Sequence, residues 1–264
     1  MTDSLTFEAF GQIYQVQTNA PHLLDRVALL LPPLSNVCDA EELDSVYYIS
    51  EELAGSGESP ATYTLFRGST RLYRGKQIET ALARFEDIIF NEVGFWAHDD
   101  YLFVHAGVVA IGDKAVILPG ESGSGKSTLV SALLDGGATY YSDDMAVFDR
   151  DGLVIPYPKP LALRTTESLA KRNVALKAEQ IGDRPIAVAL VLATKFDPNV
   201  KVWSPQQLRG AAAAMVLLRN ALAARRLPIP LIDRFRQSLT GALIFEGVRG
   251  ESGQVVSWIN AILR

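Results

Sequence analysis

Eight consecutive residues near the middle of the chain, from Gly120 to Ser127, have the types and spacing of a phosphate-binding loop. They read Gly-Glu-Ser-Gly-Ser-Gly-Lys-Ser and fit the pattern G-x-x-x-x-G-K-[ST] at every fixed position. In this pattern the lysine carries positive charge to the β and γ phosphates of a nucleotide, and the last hydroxyl is a magnesium ligand. The sequence therefore predicts that a nucleoside triphosphate and Mg²⁺ are bound by Gly120, Ser122, Gly123, Ser124, Gly125, Lys126, Ser127 and Thr128.

The segments that flank this phosphate loop (residues 120–127) are those that such a site needs. Residues 115–118 are apolar and predict a strand that enters the loop, and residues 125–134 predict a helix that leaves it. The N-terminus of that helix adds partial positive charge toward an anion. The alternative is a Gly- and Ser-rich turn without a ligand. The loop by itself fits ATPases, GTPases and kinases alike.

Two adjacent carboxylates, Asp143 and Asp144, follow a predicted strand over residues 139–142. Because this strand comes one helix after the phosphate loop, its end is expected beside the loop, where ligands of open α/β sheets gather. Neighbouring side chains of a strand point to opposite faces. One aspartate can then reach Mg²⁺ while the other serves as general base for an acceptor hydroxyl. The alternative is a solvated turn, in which aspartate is common.

Three further residues are candidates for the same site. His105 lies in an apolar strand predicted to pair with the strand that feeds the loop, where it would orient Asp143 or contact phosphate. The alternative is a hydrogen-bonded core histidine. Lys159 and Arg164 follow a proline-rich segment and would bring positive charge to the phosphates, as phosphoryl transfer often requires. For these two the alternative is a surface salt bridge.

His105-Ala106-Gly107, the phosphate loop and Ser142-Asp143-Asp144, in this order and spacing, resemble the catalytic core of bacterial HPr kinase/phosphorylase. The chain resembles more closely the HPr-kinase-related proteins of peptide-modification gene clusters. The resemblance covers residues 102–147 well, and residues 156–164 and the C-terminal third loosely. It implies a P-loop core related to phosphoenolpyruvate carboxykinase and transfer of phosphate to a serine hydroxyl of a protein.

The resemblance also implies roles for the individual residues. Lys126 and Ser127 would bind phosphate and magnesium. Asp143 would be the base, His105 would hold it, and Asp144 would assist the metal. Which aspartate is the base and which assists the metal stays open at this point.

The composition narrows the class of protein. The 264 residues are 48% hydrophobic and 21% charged, which is typical of a globular protein with a substantial core. The net charge of −5 argues against a nucleic-acid binder, and the single cysteine excludes an intramolecular disulfide. The sequence shows neither a signal peptide nor an apolar run of about 20 residues, so we expect a cytoplasmic protein without a membrane partner.

The pattern of predicted strands and helices indicates two domains that differ in secondary-structure content. Residues 1–97 predict a β-rich α+β region, with two strands, a hairpin and a helix over residues 77–96, for which we expect a role in substrate docking. Residues 98–264 predict the catalytic domain, an α/β fold with a mixed sheet, because more strands surround the loop than simple alternation would give. A long helix is expected over residues 205–224, with Ser204 as its N-cap.

The function predicted from these observations is an ATP- and Mg²⁺-dependent phosphotransferase that phosphorylates a serine or other hydroxyl of a protein or peptide. The expected partners are that substrate and the nucleotide, with no nucleic acid, and association into a homo-oligomer is left open. The alternative is a nucleotide-binding accessory protein, or an ATPase of a biosynthetic complex, that has no kinase activity.

Overall fold

A computed structural model describes residues 2–53, 60–97, 100–121, 123–165, 168–224, 226 and 228–264. The chain forms two compact units, Met1–Ala97 and His98–Arg264. Together they hold mixed α and β structure, with six α-helices in the described ranges. None of the helices in this described part combines the length and the apolar character that a membrane crossing requires.

The first unit is a six-stranded sheet with two helices. Its strands are β1 (Asp3–Ala9), β2 (Gln12–Thr18), β3 (Asn36–Val37), β4 (Ser45–Glu52), β5 (Thr62–Arg67) and β6 (Thr70–Gly75), in the order β3-β1-β2-β4-β5-β6. The helices are α1 (His22–Ala28) and α2 (Ile78–Trp96). Helix α2 buries Leu82, Phe85, Ile89 and Val93, which recur at helical spacing and form its apolar side. The strands, hairpin and long helix predicted for this region are therefore confirmed.

The second unit is built on a larger mixed sheet. Its strands are β7 (Leu102–Ile111), β8 (Lys114–Pro119), β9 (Thr139–Ser142), β10 (Met145–Phe148), β11 (Val154–Ile155), β12 (Leu161–Thr165), β13 (Ser168–Val174), β14 (Ala187–Phe196), β15 (Gln206–Gln207) and β16 (Leu243–Arg249). Its helices are α3 (Lys126–Asp135), α4 (Ala211–Leu218), α5 (Pro228–Ser238) and α6 (Ser252–Ile262).

Eight of these strands form one sheet in the order β11-β10-β7-β8-β14-β16-β15, with β9 also paired to β7. Strands β8, β14 and β16 run parallel, whereas β7 is antiparallel to β8, β9 and β10. The expectation of a mixed α/β sheet is thus confirmed. Alternate residues of each strand enter two cores, one with α4 and α5 and the other with α3 and α6. The phosphate loop lies at the carboxyl end of central strand β8.

The prediction of one helix over residues 205–224 is wrong. Gln206 and Gln207 instead form edge strand β15 against β16, and α4 begins only after Gly210, whose φ is +58°. Backbone pairing at the sheet edge overrides the helical propensity of the residues that follow. Helix α5 was also not predicted. It contains two prolines, at positions 228 and 230, and proline usually indicates the end of a helix in a sequence. Both lie in the first turn, where a helix tolerates proline.

Strands β9 and β10 both lie along β7, with a bend at residues 143 and 144 between them. Ser142 pairs with Val108, and Met145 pairs with His105. The two aspartates therefore stand at an interruption of one long antiparallel pairing. Gly107 faces this interruption from β7. A Cβ atom on Gly107 would lie 2.7 Å from Cγ2 of Val130 in α3, so helix, strand and bend meet closely only around a glycine.

We expect Gly107→Ala to destabilise the fold by about 1–3 kcal/mol, because the added methyl group overpacks the contact between β7 and α3. The measurement is the free energy of unfolding in denaturant. Gly253→Ala is the matched control, since a Cβ there meets nothing within 4 Å and the position is helical. Equal stability of the two variants would show that Gly107 does not set this packing.

Candidate active site around the phosphate loop

The phosphate loop crosses from β8 to α3 through glycines that other residues could not replace. Gly123 and Gly125 have φ of +86° and +88°, in the left-handed region that favours glycine. Gly125 is the N-cap of α3, and a Cβ on it would lie 2.5 Å from Nη2 of Arg249. The loop is therefore a narrow cradle at a helix N-terminus, a place suited to an anion.

Lys126 is almost fully buried at the start of α3. Its Nζ donates hydrogen bonds to the carbonyl oxygens of Gly120, at 2.5 Å, and Glu121, at 2.9 Å. The ammonium group thus lies across the phosphate loop. Phosphate oxygens are the stronger acceptors for an ammonium group, so a bound phosphate would compete well with these carbonyls.

The bend at residues 143 and 144 is held by Ser142. Its buried hydroxyl oxygen accepts the N–H groups of Asp144, at 3.3 Å, and Met145, at 3.1 Å. A serine that binds the backbone two and three residues on stabilises a turn at this point. This local bond sends the two carboxylates toward different partners.

Asp143 is 7% exposed and is directed at the phosphate loop. Its carboxylate accepts the Ala162 N–H at 3.3 Å and lies beside the hydroxyl of Ser127. Burial raises the pKa of Asp143 above its usual value. The donor groups of Ala162, Ser127 and Tyr140 oppose this rise in pKa, and the charge of Asp144 adds to it.

Tyr140 links Asp143 to the following segment. Its hydroxyl oxygen lies 2.7 Å from the carbonyl oxygen of Lys159 and 3.1 Å from Oδ1 of Asp143. A phenol has one hydrogen to donate, and burial raises the pKa of Tyr140, so the phenol stays neutral. That single hydrogen is directed either at Asp143 or at the Lys159 carbonyl, so Tyr140 connects the bend to the segment that contains Lys159.

Asp144 makes a second, more open cluster. Its Oδ1 lies 3.3 Å from Nδ1 of His105, and its Oδ2 lies 3.5 Å from Nζ of Lys159. The side chains of Asp144 and His105 are 35% and 30% exposed. We expected His105 to hold Asp143, whereas the structure places it against Asp144. The reason is the register of β7 and β10, which sets His105 opposite Met145, next to Asp144.

Arg249 is a further residue of this site, and the sequence analysis did not identify it. It is 1% exposed, and its guanidinium donates to the carbonyl oxygen of Gly125 at 2.8 Å and to that of Gly250 at 3.0 Å. Burial lowers its pKa. Its position at the carboxyl end of a parallel strand was the available signal, since ligand sites gather there.

The structure shows fewer contacts for the other residues that the sequence predicts in the site. Thr128 is exposed on the first turn of α3. Ser122 and the side chain of Arg164 lie outside the described residues. Lys159, proposed as a source of positive charge, contacts Asp144, and Ser127 contacts Asp143 rather than the aspartate assigned to the metal. The structure therefore brings His105, Lys126, Ser127 and both aspartates to one end of the sheet.

Comparisons with known proteins do not assign this chain to a family. No family model matches the chain, and no curated protein sequence matches it. Among solved structures, the Hpr(Ser) kinase/phosphatase from Coxiella burnetii is similar with a TM-score of 0.34 and 16% sequence identity, over 61% of this chain and 93% of that chain. A likeness at this TM-score establishes no family, so the function has to be derived from the site itself.

We expect Asp143→Asn to raise the melting temperature by about 2–4 °C at pH 7.5, or roughly 1 kcal/mol for a chain of this size. Because the pKa of Asp143 is raised in the folded protein, its contribution to stability is fully present below the unfolded pKa of about 3.9. That contribution is lost as the pH rises through the folded value. The advantage of the amide should therefore shrink toward pH 4.

The measurement is thermal unfolding of both proteins between pH 4 and pH 8. Asp151→Asn, at an exposed aspartate, is the control and should leave the melting temperature unchanged. A variant at position 143 that is less stable than the original protein at pH 7.5 would contradict the argument.

Arg249→Met is expected to weaken the binding of inorganic triphosphate about tenfold, a change of about 1.4 kcal/mol. The variant loses both the bond that fixes Gly125 and a positive charge behind the loop. Binding is measured by titration calorimetry, with Arg236→Met, at an exposed arginine, as the control. Unchanged affinity in a folded Arg249 variant would remove this residue from the site.

Proposed function

We propose that this chain transfers the γ-phosphate of ATP to a hydroxyl group of a protein or peptide, with serine as the acceptor. One observation carries the proposal. Two carboxylates stand beside the same phosphate loop, one buried against Ser127 and the other partly exposed beside a histidine. Nucleotide binding by itself needs no second carboxylate of this kind, whereas an acceptor hydroxyl needs a group that takes its proton.

The donor set beside the loop fits Mg²⁺ that arrives with a nucleotide. The hydroxyl of Ser127 and the carboxylate of Asp143 are hard oxygen donors that lie side by side. Within the described ranges, no group of three or more His, Cys, Asp or Glu side chains could hold a metal ion. Mg²⁺ is commonly held by one or two carboxylates together with substrate phosphates. When bound, it would supply charge that neutralises the phosphate oxygens.

The contacts favour a division of labour between the aspartates. Asp143 is buried against Ser127, and we assign it to the metal side of the site. Asp144 is the more exposed of the two and lies against His105 and Lys159, so we assign it to the acceptor side. This division is the reverse of the one that the family resemblance implies.

In the proposed step, the acceptor oxygen forms a bond to the γ-phosphorus as the bond from that phosphorus to the bridging oxygen breaks. The acceptor proton passes to Asp144, which His105 and Lys159 orient. Lys126 exchanges its carbonyl partners for phosphate oxygens and stabilises the negative charge that moves to the leaving group. ADP and the phosphorylated acceptor are the products.

The test measures transfer of labelled phosphate from ATP to a library of serine-containing peptides. We expect Asp144→Asn to lower kcat by about 10²–10⁴, the usual contribution of a general base, with little change in ATP affinity. Asp143→Asn should instead raise the Mg²⁺ concentration needed for half-maximal rate. Lys126→Ala should abolish nucleotide binding and transfer together.

Asp151→Asn, at an exposed aspartate remote from the loop in sequence, is the matched control and should keep full activity. Release of inorganic phosphate is followed in parallel. Hydrolysis without transfer to any peptide would favour an ATPase over a kinase. Full transfer activity in Asp144→Asn would show that this carboxylate is not the base.

A further inference from the structure

A cavity of about 690 Å³ opens beside the phosphate loop, and the proposed chemistry does not use it. Its walls include Gly120, Gly123 and Ser124 of the loop and the carboxyl-terminal residues Phe196 of β14 and Val248 of β16. The volume lies within the range of small-molecule sites. The cavity is therefore large enough for a ligand that also contacts the loop.

Most of the cavity lies away from the acceptor cluster. In the sheet, β14 and β16 lie on one side of β8, while β7, β9 and β10 lie on the other. His105, Asp143 and Asp144 belong to the second side, and within the described residues none of them lines the cavity. The cavity reaches that side at Asn220, whose carbonyl oxygen accepts the N–H of His105 at 2.8 Å. The lining on β14 and β16 is the part that suits the donor.

The lining offers apolar surface together with charge. Phe196 is 39% exposed and Val248 is 46% exposed, so both present apolar surface to the cavity. The Arg249 guanidinium lies 5.4 Å from the centroid of the Phe196 ring. Lys195 and Glu246 also line the cavity. A flat ring can pack on Phe196 and Val248. Lys195 suits a phosphate group, and Glu246 suits a hydroxyl group.

We propose that this cavity binds the nucleoside part of the nucleotide, with the base against Phe196 and Val248. The triphosphate then runs along Gly123 toward Lys126, and its γ-phosphate faces the acceptor cluster. This inference rests on the proposed nucleotide binding and adds to it the site that selects a nucleoside over a bare phosphate chain. The N–H of Phe196 donates to the carbonyl oxygen of Ser124 at 3.3 Å, so the cavity and the phosphate loop share one framework.

The experiment compares the affinities of ATP and inorganic triphosphate by titration calorimetry, with the full chain and Mg²⁺. ATP should bind more tightly than triphosphate to the original protein. Phe196→Ala should weaken ATP about tenfold or more, because base stacking on an aromatic ring is lost, and should leave triphosphate unchanged. Val248→Gln, which places a longer polar side chain in the cavity, should do the same.

Val202→Gln is the matched control, because Val202 is 74% exposed and does not line the cavity. It should bind both ligands normally. The Val248 variant also guards against an indirect effect of Phe196 on its neighbour Arg249. Thermal unfolding verifies that each variant is folded.

Two results would overturn the inference while the phosphate site stands. One is equal affinity of the original protein for ATP and triphosphate. The other is a Val248→Gln variant that keeps its ATP affinity while the KM for the acceptor peptide rises, which would assign the cavity to the acceptor. Failure of the original protein to bind either ligand would instead overturn the proposed function itself, and this inference with it.

Discussion

The Ser127 hydroxyl lies beside the Asp143 carboxylate, so the start of α3 meets the bend between β9 and β10. This contact requires helix and bend to approach closely, and Gly107 gives them room. It also places a carboxylate where little water reaches it, at a cost in stability that the donors Ser127 and Ala162 only partly offset. A destabilising burial of charge is expected at a functional site, where the groups are arranged for a ligand rather than for stability.

Three charged groups, Lys126, Asp143 and Arg249, are buried around the loop. Lys126 uses loop carbonyls, Asp143 uses hydroxyl and N–H donors, and Arg249 uses carbonyls behind the helix N-cap. Two cations close to the N-terminus of a helix favour an anion at that point, which suits the phosphate chain of the proposed ligand.

The features that could be predicted from the sequence are those fixed by local pattern. The loop, its flanking strand and helix, and the strands on either side follow from residue types within short windows. The pairing of His105 with Asp144 could not be predicted, because a shift of one residue between β7 and β10 would place a different side chain there. Arg249 was missed, and a helix was wrongly predicted over residues 205–224, since both depend on where β16 lies in the sheet.

The antiparallel strand β7 explains why a histidine within a strand can belong to this site. In a purely parallel sheet only the loops after the strands reach the carboxyl edge. Here β7 runs opposite to β8, so its first half, with His105, lies at the carboxyl end of β8, and the N–H of Gly120 faces the carbonyl of His105 at 3.5 Å. Strands on the two sides of β8 thereby contribute different groups to the site. The antiparallel side contributes His105 and the two aspartates, and the parallel side, ending at Phe196 and Arg249, borders an open cavity. In the proposed function, a mixed sheet lets the loop meet donor and acceptor from different sides.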